Sequence, residues 1–372
     1  MSTGRRLIED RGAGRIILDG VGTIMLGSND YLGLSIDERV LAATREALGR
    51  YGTGTGIYPI FATTPLHEAL CEGLAAYLGT GAACLFSSGG SANAGVLATL
   101  AGEGDAIISD RLNHASIIDG CRLSRARVVT YANRDVGDLQ QALEATAGAK
   151  RRLVVTDGIF SMEGGAAPLR EIHALVRRYD ALLMVDDAHA SGVVGPDGRG
   201  TAQLFGLSND APGLILTGSL SKALGGASGG FVAGPRALVE ELQARSRSWI
   251  FTMGMTTANA ATALAALQIC RTDPVPRDRL WANLGHLRGA IRRHGLACLP
   301  SDSAITAIPI GDDAKARAVS DALARAGVFV PAVAYPIVAQ GEARLRLQAS
   351  AAHSMADLDT AVAAIAGALA GG

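Results

Sequence analysis

Thr217-Gly-Ser-Leu-Ser-Lys-Ala-Leu-Gly-Gly-Ala-Ser-Gly-Gly230 lies between two apolar runs, Leu214-Ile-Leu216 before it and Phe231-Val-Ala233 after it. The runs read as short strands, and the stretch joins them. A single lysine, Lys222, stands among small residues and hydroxyls with no acidic neighbour in sequence. Lysine is normally a solvated surface charge. Where burial lowers its pKa, its amine becomes a nucleophile that forms Schiff bases with carbonyl compounds. Hydroxyls and glycine amides beside it can hold a phosphate. Two readings stay open on these residues alone: a glycine-rich turn with an exposed lysine, or an amine beside a phosphate cradle, the combination that pyridoxal phosphate requires.

Upstream, from about residue 82, short apolar runs alternate with helical segments. The strands are Cys84–Phe86, Ala106–Ile108, Val128–Tyr131, Leu153–Val155 and Leu182–Val185; the helices between them run to Leu100 and over 114–124, 137–147 and 168–179. This alternation predicts an α/β fold, a large and mostly parallel sheet with helices on both faces. Ligands of such sheets gather at the carboxyl ends of the strands. Polar motifs fall at those ends: Ser87-Ser-Gly-Gly90, Asp110 to His114, Thr156-Asp157, Asp186-Asp-Ala-His189 and Ser219 to Lys222. Capped helix starts account for one or two of them, not for five.

The N-terminal arm, 1–36, carries a hairpin, Arg15–Leu18 with Thr23–Leu26, turned at Asp19-Gly20. Helices follow at 37–50 and 65–78, the second opened by Pro65. Between them Tyr51-Gly-Thr-Gly-Thr-Gly56 contains Gly-x-Gly, but no strand precedes it, so it is a poor dinucleotide fingerprint. A helix at 256–271 ends at Thr272-Asp-Pro-Val-Pro276, which separates a large domain, 37–272, from a smaller C-terminal α/β domain, 273–372. There a helix at 278–294 precedes two strand–helix pairs. The last strand, Ala343–Gln348, places Arg344 and Arg346 on one face and Leu345 and Leu347 on the other. That face is either solvated or aimed at a carboxylate, which arginine binds bidentately.

A chain of 372 residues, 48% hydrophobic with a net charge of -1, has room for two domains and lacks the basic excess of a nucleic-acid binder. No apolar run reaches the length of a membrane span, and the charged start has no apolar core of a signal peptide. Five dispersed cysteines without a Cys-x-x-Cys pair suit a reducing compartment, and a cytoplasmic protein is expected.

Asp186 ends an apolar strand, where a carboxylate is costly unless paired. A protonated pyridine nitrogen is a partner that offsets the cost, and a cationic ring acts as an electron sink. Metal binding by Asp186 to His189 would need a turn and further ligands, and no metal is expected. His114 is either a cap or a flat imidazole that covers a cofactor ring. Ser161, in Asp157-Gly-Ile-Phe-Ser-Met-Glu163, is either part of a turn or a donor to the ring hydroxyl.

These motifs, with Asn29-Asp-Tyr-Leu-Gly-Leu34, Asn113 to Gly120, Asp157 to Gly164, Val185 to His189, Thr217 to Gly230 and Ala343 to His353, resemble the α-oxoamine synthases nearly end to end. Those are fold-type I pyridoxal-phosphate enzymes that join an amino acid to an acyl thioester. Ile107 to Asn133, Lys222 to Gly230 and Arg279 to Asn283 look most like the members that acylate glycine; members that use alanine come next, and a fold-type I aminotransferase is the alternative outside the family. The resemblance implies that Lys222 bonds the cofactor and moves protons, that Asp186 meets the pyridine nitrogen and that His114 stacks on the ring. His189 and Ser161 would contact the ring hydroxyl. Ser88, Gly89, Gly90 and Ser219 would hold the phosphate, and Asn29 and Arg346 the amino-acid carboxylate. It further implies a homodimer with shared active sites and an acyl group delivered on coenzyme A or a carrier protein. Three departures bear on the substrate. Gly90 replaces a usual phenylalanine. Tyr58 stands where many members carry arginine, which makes it a substrate-side candidate. Phe251-Thr-Met-Gly-Met255 occupies the segment that usually brings a hydroxyl from the partner subunit.

Overall fold

Three antiparallel strands form the arm: β1 (Ile8–Arg11), β2 (Arg15–Leu18) and β3 (Val21–Met25). They belong to a computed structural model that describes residues 5–371. The Asp19-Gly20 turn takes positive φ at both residues, 50° and 77°, as a two-residue hairpin turn demands. β1 was not foreseen; its Ile-Glu-Asp-Arg sequence lacks apolar alternation and all four residues are exposed.

Helix α1 (Glu38–Tyr51) opens the larger unit, which comprises Glu38–Phe160 and Ala166–Thr272. Thr64 caps α2 (Pro65–Leu78), and Gly79, in the left-handed region at φ 76°, ends it. Strands and helices then alternate: β4 (Ala82–Phe86), α3 (Gly89–Leu100), β5 (Ala106–Asp110), α4 (Ala115–Leu123), β6 (Arg127–Tyr131), α5 (Val136–Ala145), β7 (Arg152–Asp157), α6 (Leu169–Arg178) and β8 (Leu182–Asp186). The short α7 (Thr201–Leu204), β9 (Leu214–Ser219), β10 (Gly230–Gly234), α8 (Arg236–Arg245), α9 (Arg247–Ile250) and α10 (Thr257–Thr272) complete the unit.

The seven strands form one sheet in the order β4-β10-β9-β8-β7-β5-β6. All run parallel except β10, which is antiparallel to both neighbours. Both faces are covered, so successive residues of one strand feed different cores. Ile108, Val154, Leu183, Val185 and Leu216 pack on one side, and Ile107, Val155, Met184 and Ile215 on the other. Each such side chain contributes roughly 1.5–3 kcal/mol by leaving water.

The smaller unit comprises the chain up to Asp37, Ser161–Gly165 and the residues from Asp273 on, so the arm is grouped with the C-terminal residues. Helix α11 (Val275–Arg293) starts about three residues before the expected 278, because Pro276 fits a first turn, where no amide hydrogen bond is lost. After it come β11 (Ile305–Gly311), α12 (Asp313–Arg325), β12 (Val328–Phe329), β13 (Ala332–Val333), β14 (Ala343–Gln348) and α13 (Met355–Ala370). β14 lies between β11 and β13, and β12 joins the arm by pairing parallel with β3, Val328 opposite Ile24. β14 is buried at every residue, so Arg344 and Arg346 do not form a solvated face.

Candidate active site

In the larger unit the functional candidates follow the carboxyl ends of β4, β5, β7, β8 and β9. After β4, Ser88 caps α3 in a reciprocal box: its hydroxyl accepts from the Ser91 amide, and the Ser91 hydroxyl accepts from the Ser88 amide. A helix leaves its first amides without intrahelical acceptors, so those of Gly89 and Gly90 are suited to an anion. β10 begins directly against this turn. A Cβ on Gly230 would lie 2.3 Å from the Ser88 carbonyl oxygen and 2.5 Å from the Gly89 nitrogen, so only glycine permits the approach. A Cβ on Gly89 would meet that of Ser219 at 3.2 Å, which places the Ser219 hydroxyl beside the same amides. Ser219 Oγ is 2.7 Å from Ser221 Oγ, and Lys222 follows, half-buried.

Behind this cradle lies a buried polar network. Asp186 ends β8; its Oδ1 accepts from the Ala188 amide at 2.9 Å and its Oδ2 from Asn93 Nδ2 at 2.6 Å. Asp157 ends β7 in register with Asp186 and accepts the His114 amide at 3.1 Å. Burial drives the Asp157 pKa well above the carboxylate range, the Asp186 charge adds to this, and the Lys222 ammonium opposes it. Lys222 therefore lies within electrostatic reach of Asp157. His114 caps α4 through its ring, with Nδ1 accepting from the Ser116 amide at 3.2 Å, and it remains exposed. The cap and the flat exposed ring are thus one residue. His189 is buried in the turn that follows β8.

Arg346, in the smaller unit, is buried on β14. Its Nε donates to the Ser161 carbonyl oxygen at 2.5 Å, and its terminal nitrogens lie 3.4 and 3.5 Å from Asn29 Oδ1. Gln348 is 3.0 Å from the same Oδ1. Tyr31 joins the group: burial pushes its hydroxyl up to about 12 while Arg346 pulls it down. No carboxylate engages Arg346 among the described hydrogen bonds and ion pairs, whereas Arg344 has two, Glu342 at 3.2 Å and Glu163 at 3.6 Å. The two arginines therefore differ although they share a face.

Ser161 belongs to this second cluster by its main chain. Tyr58 does not join either network; it is 40% exposed, with its ring edge-on to Phe61. Its loop and Met253–Met255 line a cavity of about 410 Å³ with Trp249. Asn93, Ser116, Thr217, Tyr31 and Gln348 were not singled out from sequence. The available signal was Asn93 itself, a polar residue in a helix otherwise made of small and apolar ones.

An amine, a cradle whose close backbone approach a Cβ on Gly230 would block and a buried carboxylate behind it fit pyridoxal phosphate. Among the described residues no group of three or more His, Cys, Asp or Glu could hold a metal ion, and no helix is long and apolar enough to cross a membrane.

Comparisons with known proteins bear on the family and the fold. A family model described as aminotransferase class I and II matches residues 21–365. An 8-amino-7-oxononanoate synthase of Symbiobacterium thermophilum is 44% identical over 354 residues, 95% of this chain and 90% of that protein. Another, of Anaeromyxobacter dehalogenans, is 44% identical over 369 residues, 98% of this chain and 92% of that protein. A solved serine palmitoyltransferase of Sphingomonas wittichii superposes with a TM-score of 0.93 at 32% identity, covering 98% of this chain and 92% of its own. A solved 8-amino-7-oxononanoate synthase of Francisella tularensis gives 0.79 at 27% identity, covering 93% and 97%.

Proposed function

The chain belongs to the aminotransferase class I and II family and, within it, to the α-oxoamine synthases, and from that premise we propose that it condenses a small amino acid with an acyl thioester, releasing carbon dioxide and free thiol. Its cofactor is pyridoxal phosphate. The product name carried by the relatives specifies a first pair to test. In 8-amino-7-oxononanoate, the bond between the keto carbon and the amine-bearing carbon divides the molecule into a seven-carbon dicarboxylic acyl group and the two-carbon remnant of alanine. Alanine with that thioester, and glycine with acetyl thioester, are the pairs we put first.

When bound, pyridoxal phosphate supplies an aldehyde that takes up amines and a ring that accepts negative charge from the amino acid's α-carbon. The Lys222 amine would hold that aldehyde until the amino acid's amine displaces it, and the freed amine would then be placed to take the α-proton, a dual role open to a half-buried lysine. Asp186 keeps the ring nitrogen protonated, because a fixed carboxylate favours the cation. His114 covers the ring, and His189 and Ser161 meet its hydroxyl. Gly89, Gly90, Ser88 and Ser219 hold the phosphate. Arg346 and Asn29 take the amino-acid carboxylate, which exchanges the long contacts to Asn29 for a bidentate pair.

A homodimer fits the exposed apolar side chains Ile57, Ile60, Phe61, Phe251 and Met253 around the 410 Å³ cavity. We place the reaction in the cytoplasm, with the acyl group on coenzyme A or a carrier protein, and Tyr58 on the substrate side.

The observation that carries the reading is the convergence of Lys222, the Gly89–Gly90 amides, Asp186 and His114 at the carboxyl ends of one sheet. The test is a panel of amino acids and acyl thioesters in heavy water. The true donor exchanges its α-proton, and thiol appears only with both substrates present. Keto acid formed without thiol would establish an aminotransferase instead.

A further inference from the structure

Asn93, on α3, is 1% exposed, and its amide engages three side chains from three other elements. Oδ1 accepts from Thr217 Oγ1 at 2.7 Å, and Nδ2 donates to Asp186 Oδ2 at 2.6 Å and to Ser116 Oγ at 2.9 Å. An amide nitrogen has two hydrogens, so both are used. The amide cannot be turned over, because its oxygen would then face a carboxylate that only accepts. The Ser116 amide, a fixed donor, points at His114 Nδ1 at 3.2 Å, so that nitrogen accepts, and Ser116 Oγ, 2.8 Å from it, is then left to donate to it. A ring nitrogen that faces two donors carries no hydrogen, so the His114 ring proton sits on Nε2.

We propose that Asn93 is a positioning residue that couples Asp186 to His114. One hydrogen of its amide fixes the plane of the carboxylate that meets the ring nitrogen. The other, relayed by Ser116, fixes the tautomer of the imidazole that covers the ring. This rests on the roles given above to Asp186 and His114. A buried amide in an apolar α/β core costs stability unless every group is matched, and an alanine would fill this helix position with a better helix former. The network accounts for an asparagine at a place where packing alone does not call for one. Without it, the Ala188 amide, on the other oxygen, is what remains among the described hydrogen bonds to the Asp186 carboxylate, which is then freer to turn about its last torsion.

The test measures pyridoxal phosphate binding to the apo protein by absorbance, and the NMR resonance of the ring nitrogen in ¹⁵N-labelled bound cofactor. Losing a hydrogen bond to a charged group shifts an equilibrium roughly tenfold to hundredfold. Asn93→Ala should weaken binding by that factor and move the resonance toward the unprotonated ring. In an Asp186→Ala background, the same substitution should no longer move the ring-nitrogen resonance and should lose most of its effect on affinity, leaving only the part that runs through Ser116 and His114. Ser116→Ala should leave the ring-nitrogen resonance in place and alter the His114 nitrogen pattern. The coupling is overturned if Asn93→Ala keeps affinity and resonance while lowering only the melting temperature, or if its full effect recurs in the Asp186→Ala background. Should Asn93→Ala fail to fold, Thr217→Val removes the bond that orients the amide and is judged by the same outcomes. A ring resonance unmoved by Asp186→Ala itself would overturn the role of Asp186, and the coupling with it.

Discussion

Asp187 offers a measurement of how far this fold tolerates a buried charge. The residue is 1% exposed, and its Oδ2 accepts the Thr201 amide at 2.9 Å. The space around it admits nothing larger: a Cβ on Gly158 or Gly200 would lie 2.0 Å from one of its oxygens. Burial pushes its pKa from 3.8 to about 7, against the Thr201 hydrogen bonds and with some help from the Asp186 charge. Below pH 4 the carboxyl is protonated in both the folded and the unfolded chain. As pH rises from there, the unfolded chain loses its proton first while the folded one keeps it, so stability falls until the folded group also ionises near pH 7. At 1.36 kcal/mol per pH unit, the loss across that window is about 4 kcal/mol. Asp187→Asn keeps an oxygen for the Thr201 amide and removes the titration. Urea midpoints of both proteins, saturated with pyridoxal phosphate and taken from pH 4 to pH 8, give the difference that isolates this group. The variant should gain about 4 kcal/mol on the wild type across the series. A difference that stays constant with pH would refute the reasoning.

Borohydride should fix the cofactor on Lys222, and Lys222→Ala should fold with an unchanged melting temperature yet leave no reducible adduct in peptide mapping. Arg346→Ala should raise the amino-acid KM by about thirtyfold or more, the lower bound for loss of a buried charge partner, whereas Arg344→Ala should lower the unfolding midpoint by removing the ion pairs to Glu163 and Glu342 and leave KM nearly unchanged. Burial pushes Cys71 up to about 12 and Cys121 up to about 11 and raises Cys84 as well, so at pH 8 these thiols should react with Ellman's reagent roughly a hundredfold more slowly than a free thiol; fast reaction in the native protein would contradict their burial.

The chemistry was legible wherever a polar residue interrupts an apolar strand pattern, as at Asp186, or stands alone among small residues, as Lys222 does. Asn93 also stands out among small and apolar residues, but its role was not legible because its partners are 23, 93 and 124 residues away, and a helical asparagine does not declare which side it faces. Arg344 and Arg346 were correctly set on one face by alternation, but alternation cannot show that Glu163, far upstream, already neutralises one of them. The reversed strand β10 could have been read. Only the ten residues 220–229 separate it from β9, fewer than a parallel crossover needs. The apolar content of β14 was legible and its burial was not, since a strand covered on both faces looks like a half-buried one when its second face carries arginines.

The pairing of β3 with β12 has a bearing on how the chain is made. Val328 lies opposite Ile24, so at 5–20 residues per second the ribosome takes roughly a quarter of a minute to a minute to deliver the partner strand. All strands of the seven-stranded sheet lie between Ala82 and Gly234 and are complete well before then. The order of synthesis therefore leaves the first-made strands with an open edge until nearly the last, and β3 and its exposed neighbours are the part of the nascent protein that a chaperone or an aggregating partner meets first.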